Sequence, residues 1–211
     1  GIRFHNKTIL DKPFNFDVNP TISTQTKSLS GKANFMVNQF NRDSNLYSIR
    51  YQLNGHYLHY APDAYYTKVN PMVFLRFRPD DLKDNKKEMI SFKYIMIDRE
   101  KSVYIIDEET ENYKVFNAKY YNGKTEVTKH YNFLGDLQLS SSFGKLSGEL
   151  QYRKLFNDKR QVNVRLFAGT FLYNKNVSTY FDFGLDRPTD YLFEHDYLGR
   201  SETTGLFSQQ S

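Results

Sequence analysis

A twelve-residue run, Tyr47 to Leu58, constrains this chain more than any other stretch. Tyr47, Ile49, Tyr51, Leu53, Gly55 and Tyr57 alternate with Ser48, Arg50, Gln52, Asn54 and His56, and Leu58 breaks the pattern. Successive side chains point to opposite sides of an extended chain, so the run has one aromatic or aliphatic face and one wet face. Strands in soluble domains average about 5–6 residues. Crossing a bilayer takes about 9–11 residues in a tilted strand, and this run is long enough. It reads as one stave of a transmembrane β-barrel.

The rest of the chain repeats the pattern. Phe14, Phe16, Val18, Pro20 and Ile22 oppose Asn15, Asp17, Asn19, Thr21 and Ser23; Leu29 to Val37, Val69 to Phe77, Ile90 to Met96, Val127 to Leu139, Leu146 to Tyr152 and Val162 to Ala168 behave alike. Ile2 to Ile9 and Tyr113 to Tyr120 read as weaker strands, His59 to Tyr66 as a loop rimmed by tyrosines, and Asn122-Gly123 as a type I′ hairpin turn. Pro20 and Pro71 are irregularities, because proline donates no ladder hydrogen bond. The count comes to about ten antiparallel strands. The expected fold class is therefore all-β: an antiparallel transmembrane β-barrel segment, incomplete by itself. Residues 1–211 form one such region, and 174–204 form a long extracellular loop with a strand at Tyr180 to Leu185.

Composition fits this expectation without deciding it. Mean hydropathy is −0.69, yet a barrel strand shows lipid only every second residue, which averaging hides. Tyr and Phe number 17 and 18, and strand-end tyrosines (Tyr57, Tyr60, Tyr65, Tyr66, and Tyr113, Tyr120, Tyr121) are candidates for an interfacial girdle. Cysteine is absent, which excludes disulfides and thiolate metal sites. The net charge of +5 is spread among interleaved acids, so no nucleic-acid partner is expected. The chain starts at Gly1 and ends on Phe207 to Ser211 in what reads as a further strand, so it is expected to be a segment of a longer polypeptide.

Motifs for chemistry are lacking. The five histidines (His5, His56, His59, His130 and His195) include no His-Glu-x-x-His pair, and there is no serine elbow, phosphate loop or dinucleotide fingerprint. No catalytic residue, metal ligand or cofactor site is assigned. The wet row Asp17, Lys32, Arg50, Arg76, Lys93, Asp136, Glu149, Arg153 and Arg165 lines either an anion-preferring pore or a small lumen filled by its own ion pairs, the second being favoured. The loop after residue 174 mixes carboxylates, aromatics and arginines, and Asp186, Arg187, Asp190, Tyr191, Glu194, Tyr197 and Arg200 form its candidate contact site for a protein partner.

The opening Gly1 to Phe14, the run Phe167-Ala-Gly-Thr-Phe-Leu and the stretch Asp186-Arg-Pro-Thr-Asp-Tyr-Leu-Phe resemble the C-terminal barrel of large Bacteroidetes-type proteins. In those, a periplasmic domain resembling M1 (gluzincin) metallopeptidases precedes an outer-membrane β-barrel. The resemblance implies a non-catalytic anchor in the cell outer membrane, contacting lipid, with the missing strands and an upstream, zinc-peptidase-like domain supplied by the parent chain. Three other readings stand beside it: an outer-membrane pore, a soluble β-sandwich or lipocalin-like binding domain, and an enzyme whose site lies in the barrel loops.

Overall fold

A computed structural model describes residues 2–8, 12–23, 28–79, 81, 83–104, 112–175, 179–183 and 190–194. Ten strands form one antiparallel sheet in chain order: β1 (Phe4–His5), β2 (Phe14–Ile22), β3 (Leu29–Phe40), β4 (Leu46–Ala61), β5 (Ala64–Phe77), β6 (Lys87–Arg99), β7 (Tyr113–Thr125), β8 (Lys129–Ser140), β9 (Phe143–Leu155) and β10 (Gln161–Asn174). The sheet is open among the described residues, with β1 and β10 as its edges. Among the described residues no helix is long and apolar enough to cross a membrane.

Register carries the sequence alternation across the sheet. A row of direct partners runs Phe14, Val37, Tyr51, Val73, Phe92, Ala118, Leu137, Leu146 and Thr170, from β2 to β10. Its polar member stands at its β10 end. The row begins at the first residue of β2 but meets β10 nine residues after Gln161. The strand ends are thus staggered along the sheet, in the sense that tilted strands require. Strands closed into a membrane barrel tilt by about 35–45°. The large side chains of this face stay open to the surroundings: Leu53 is 43% exposed and Leu166 61%.

The opposite face is where burial occurs. Ile95, Val115 and Phe143 are fully buried there, joined by Tyr66, Ile97 and Tyr113, and all lie toward the β4–β5, β6–β7 and β8–β9 hairpins.

Several expectations are corrected. The alternation does not stop at Leu58, because β4 runs to Ala61 and β5 starts at Ala64, which leaves Pro62-Asp63 as the connection in place of a loop from His59 to Tyr66. Gly123 makes no turn. It pairs with Lys87 and Asn132 inside β7, and a Cβ there would fall 2.6 Å from the Tyr121 hydroxyl, so its lack of a side chain accommodates an aromatic ring. The turn follows at 126–128, where the Glu126 N–H donates to the Lys129 carbonyl at 2.7 Å. The first strand shrinks to Phe4–His5. Tyr180 and Phe181 belong to a 3-10 turn, Thr179–Phe181, rather than a strand, and residues 184–185 lie outside the described ones.

Both prolines sit where the ladder on their nitrogen side is already weak. The Pro20 carbonyl accepts from Ile2 N–H at 3.2 Å, so its nitrogen points toward the short β1. Gly31 opposite lets the backbones approach: a Cβ there would meet Asn19 O at 3.0 Å. Pro71 pairs with Leu53 on β4, and the β5–β6 ladder breaks beside it, between Val69–Met96 and Met72–Lys93.

Candidate functional site

The candidate site is the face that carries this burial, termed the concave face because the segment after β10 seats in it, with the Phe14–Thr170 row on the opposite, convex face; it has an apolar end and a polar middle. At the apolar end the segment after β10 folds back onto the sheet. Phe181, Tyr191 and Leu192 pack with Tyr113, Phe143 and Ile97, and Leu58, Tyr60 and Phe171 surround them. Phe183 lies over Gly169, where a Cβ would come within 3.0 Å of its ring, and meets Phe167 and Phe171 at 6.1 and 5.1 Å. The segment therefore plugs one end of the concave side. Burying Tyr191 and Leu192 together contributes roughly 3–6 kcal/mol.

Polar groups fasten the plug. The Tyr191 hydroxyl donates to Gln138 Oε1 at 2.5 Å, and the Tyr113 hydroxyl donates to the Tyr191 carbonyl at 3.1 Å. Gln138 donates in turn to Asp136 Oδ2 at 3.1 Å, and Asn117 donates to Asp136 Oδ1 at 2.5 Å. Lys119 bridges Asp136 at 3.7 Å and Glu194. Lys145, only 3% exposed, donates to the Phe181 carbonyl; its ammonium lies 4.7 Å from the Phe183 ring and 5.1 Å from Tyr191. A buried ammonium needs such replacement of its hydration by carbonyls and ring faces. Phe193 adopts φ 52°, a conformation a bulky residue holds only when its surroundings enforce it. Here its ring covers the Lys68 ammonium at 3.8 Å.

The candidate contact residues divide. Asp190, Tyr191 and Glu194 turn to the chain's own interior: the Asp190 carboxylate accepts from Glu194 N–H at 2.9 Å, which shapes the turn, and its charge reaches Lys93. Asp186, Arg187, Tyr197 and Arg200 lie outside the described residues. Lys145, Gln138 and Asn117 were not singled out in the sequence as plug partners. The available signal was the run of apolar residues on the wet parity, Leu58, Tyr60, Tyr66, Ile95, Ile97, Val115 and Phe143, clustered at one end of the strands.

The wet row itself shares the concave face and holds several ion pairs. Asp17 meets Arg3 at 2.6 Å and Lys7 at 2.8 Å, and Arg165 grips Glu149 with two nitrogens at 3.0 and 2.8 Å. The tyrosines expected in a girdle split by face. Tyr57 and Tyr65 cluster with His59 on the convex side at 5.4–6.4 Å, whereas Tyr66 and Tyr113 are buried in the plug core.

Two carboxylates brace the hairpins. Asp63 accepts from the Ser102 hydroxyl at 2.7 Å and the Val103 N–H at 2.9 Å, and these bonds hold its carboxyl below the usual range. The Lys124 ammonium, 3.1 Å away, lowers Asp84 in the same sense. Among the described residues no three His, Asp or Glu side chains gather as a metal site. Comparison with known protein families, curated proteins and solved structures finds no match.

Proposed function

We propose that this chain is part of an outer-membrane β-barrel, non-catalytic by itself, that anchors a larger protein. The observation that carries the reading is the exposed apolar convex face. From Tyr47 to Tyr57 it advances ten residue steps along β4, about 33 Å, or about 23–27 Å across a membrane at the usual tilt of a barrel strand. The lipid-facing band of outer-membrane barrels is about 25 Å tall. A soluble sandwich would bury one apolar face of every strand against a second layer, and the described residues place none on this side.

An anchor is favoured over an open pore because the plug fills one end of the concave face with Phe181, Tyr191 and Leu192. The resemblance to barrels that follow M1-like peptidase domains supports an upstream catalytic domain, which would carry the zinc motif this chain lacks. The edges of β1 and β10 call for partners within hydrocarbon, since each unpaired backbone group there costs several kcal/mol; strands of the parent chain would supply them. The test is fractionation of cells producing the chain with its native flanking sequence. The reading expects the protein in the outer membrane, resistant to alkaline carbonate extraction. Recovery in the soluble fraction would overturn it.

A further inference from the structure

We infer that the convex face of β8 and β9 seats the headgroup of an anionic phospholipid at the end away from the plug, between Lys129 and Lys154. The inference rests on the membrane reading and adds a lipid preference to it. Lys129 and Lys154 are direct cross-strand partners. They share their face with Tyr131, Tyr152, Phe133 and Leu150, which stay open to the surroundings.

The distribution of charge over that face sets the pair apart. On β2 to β5 the convex parity carries no Asp, Glu, Lys or Arg between Phe14 and Phe77. On β6 to β10 the charged residues of that parity stand only at strand ends. Asp98 and Lys114 lie toward the plug, and Glu88, Lys124, Lys129 and Lys154 toward the opposite turns. An apolar belt bordered in this way has its edges where headgroups and water begin. Several of the edge charges are served by the chain itself. Glu88 meets Lys86 at 3.1 Å and accepts from the Tyr120 hydroxyl at 3.0 Å. Lys124 meets Asp84 at 3.1 Å and Glu126 at 3.3 Å, and Asp98 accepts from Asn112 at 2.8 Å. Among the described residues Lys129 and Lys154 enter no ion pair, and the Lys154 ammonium lies 4.9 Å from the Phe156 ring.

Depth supplies a second, independent argument. The next convex row along the strands is Tyr131 with Tyr152, and the one after it is Phe133 with Leu150. At the usual tilt of a barrel strand two residues advance about 5 Å through the membrane. The lysines thus stand about 5 Å above a pair of phenols and about 10 Å above wholly apolar side chains. The headgroup layer of a bilayer is about 5–7 Å deep on each side, and tyrosines collect at its boundary with the hydrocarbon. Ammonium, phenol and hydrocarbon therefore follow one another in the order of a phospholipid's phosphate, glycerol ester and acyl chain. Lysine stems lie along apolar surface while the charge stays in the polar layer, which brings both ammoniums within reach of one phosphate. Two cations complement a headgroup of net negative charge. A zwitterionic headgroup carries its own ammonium and gains less from them.

The experiment uses the protein with its native flanking sequence and a single reactive cysteine, Leu53→Cys or Val164→Cys, labelled with an environment-sensitive fluorophore. Val164 is the direct partner of Tyr152 and lies one row deeper than the lysines, so the label leaves them unobstructed. Vesicles mix phosphatidylcholine with phosphatidylglycerol, and one or the other lipid is brominated on its acyl chains. At 164 phosphatidylglycerol should be preferred by about tenfold, the scale for two basic side chains at an anionic surface; at 53 the two lipids should quench alike. Lys129→Gln/Lys154→Gln should abolish the preference at 164 and leave quenching at 53 unchanged, which shows that the variant still folds and inserts. Lys83→Gln/Lys159→Gln, which removes two charges from turns at the same end, should keep the preference, and millimolar inorganic phosphate should not displace it. Equal quenching by both lipids at 164, a preference that survives in the Lys129/Lys154 variant, equal loss in the Lys83/Lys159 variant, or displacement by inorganic phosphate overturns the proposal. Quenching at 53 with none at 164 would mean that protein covers the pair, and overturns this site alone. No quenching at either position overturns the membrane reading, and the site with it.

Discussion

Leu53→Arg against Gln52→Arg is the sharpest energetic contrast in the molecule. The two residues adjoin on β4 and face opposite sides, Leu53 beside Phe35 and Pro71 on the convex face, Gln52 beside Met36 and Met72 on the concave one. At the usual tilt of a barrel strand each residue advances about 2.5 Å through the band, which puts Leu53 roughly 15 Å from Tyr47 and 10 Å from Tyr57. It therefore sits about 3 Å from the middle of the band, where an outward-facing arginine costs about 2–4 kcal/mol. Gln52→Arg removes the 3.2 Å bond to Asn54, a loss of about 1 kcal/mol, and leaves the new charge among polar neighbours. The assay is denaturant titration of folding into lipid vesicles, read by tryptophan-free tyrosine fluorescence or gel mobility. The stability gap between the variants should be about 1–3 kcal/mol, with Leu53→Arg the weaker. Equal losses, or a larger loss for Gln52→Arg, would refute the assignment of faces.

Further outcomes follow from other contacts. Tyr191→Ala strips a buried ring and its bond to Gln138, so it should cost about 3–5 kcal/mol in the same titration; a change under 1 kcal/mol would show that the plug does not pack as described. Gly31→Ala sets a methyl 3.0 Å from Asn19 O and 3.2 Å from the Pro20 Cα and should cost about 1–3 kcal/mol, since backbone must shift; wild-type stability would contradict the close approach. Asp63, whose pKa is depressed by Ser102 and Val103, stabilises the hairpin above the unfolded carboxylate value of about 4. That contribution is lost as pH falls through the lower folded value. Exchange of the Val103 amide should accelerate on acidification, measured relative to neighbouring amides, and Asp63→Asn should remove the pH dependence; an unchanged profile in the variant would count against it.

The strands were legible because alternation is a local signal that register merely propagates. Tyr47 to Tyr57 announced β4 without help from its neighbours, and the interruption at Pro71 followed from its missing N–H. The plug was not legible in the same way. Its residues Phe181, Tyr191 and Leu192 carry no period, since a folded-back segment needs to match the surface it meets and no ladder at all. Leu58 ends the pattern only if polarity on the wet face runs the whole strand. In fact the wet face turns apolar where the plug covers it, and Leu58 and Tyr60 obey the parity throughout. Asn122-Gly123 misled for a related reason: the dipeptide's turn preference yields where a strand pairs on both sides and the glycine makes room for the Tyr121 ring.

The convex face as the lipid face is the central claim, and the absence of native cysteine makes it directly measurable. Single cysteines placed in turn at 47 through 57, labelled with an environment-sensitive fluorophore and reconstituted in vesicles of brominated lipid, report contact with acyl chains. The account predicts quenching at 47, 49, 51, 53, 55 and 57, deepest-located near 53, and little at 48, 50, 52, 54 and 56. Quenching without a two-residue period, or with the even positions in lipid, would contradict it.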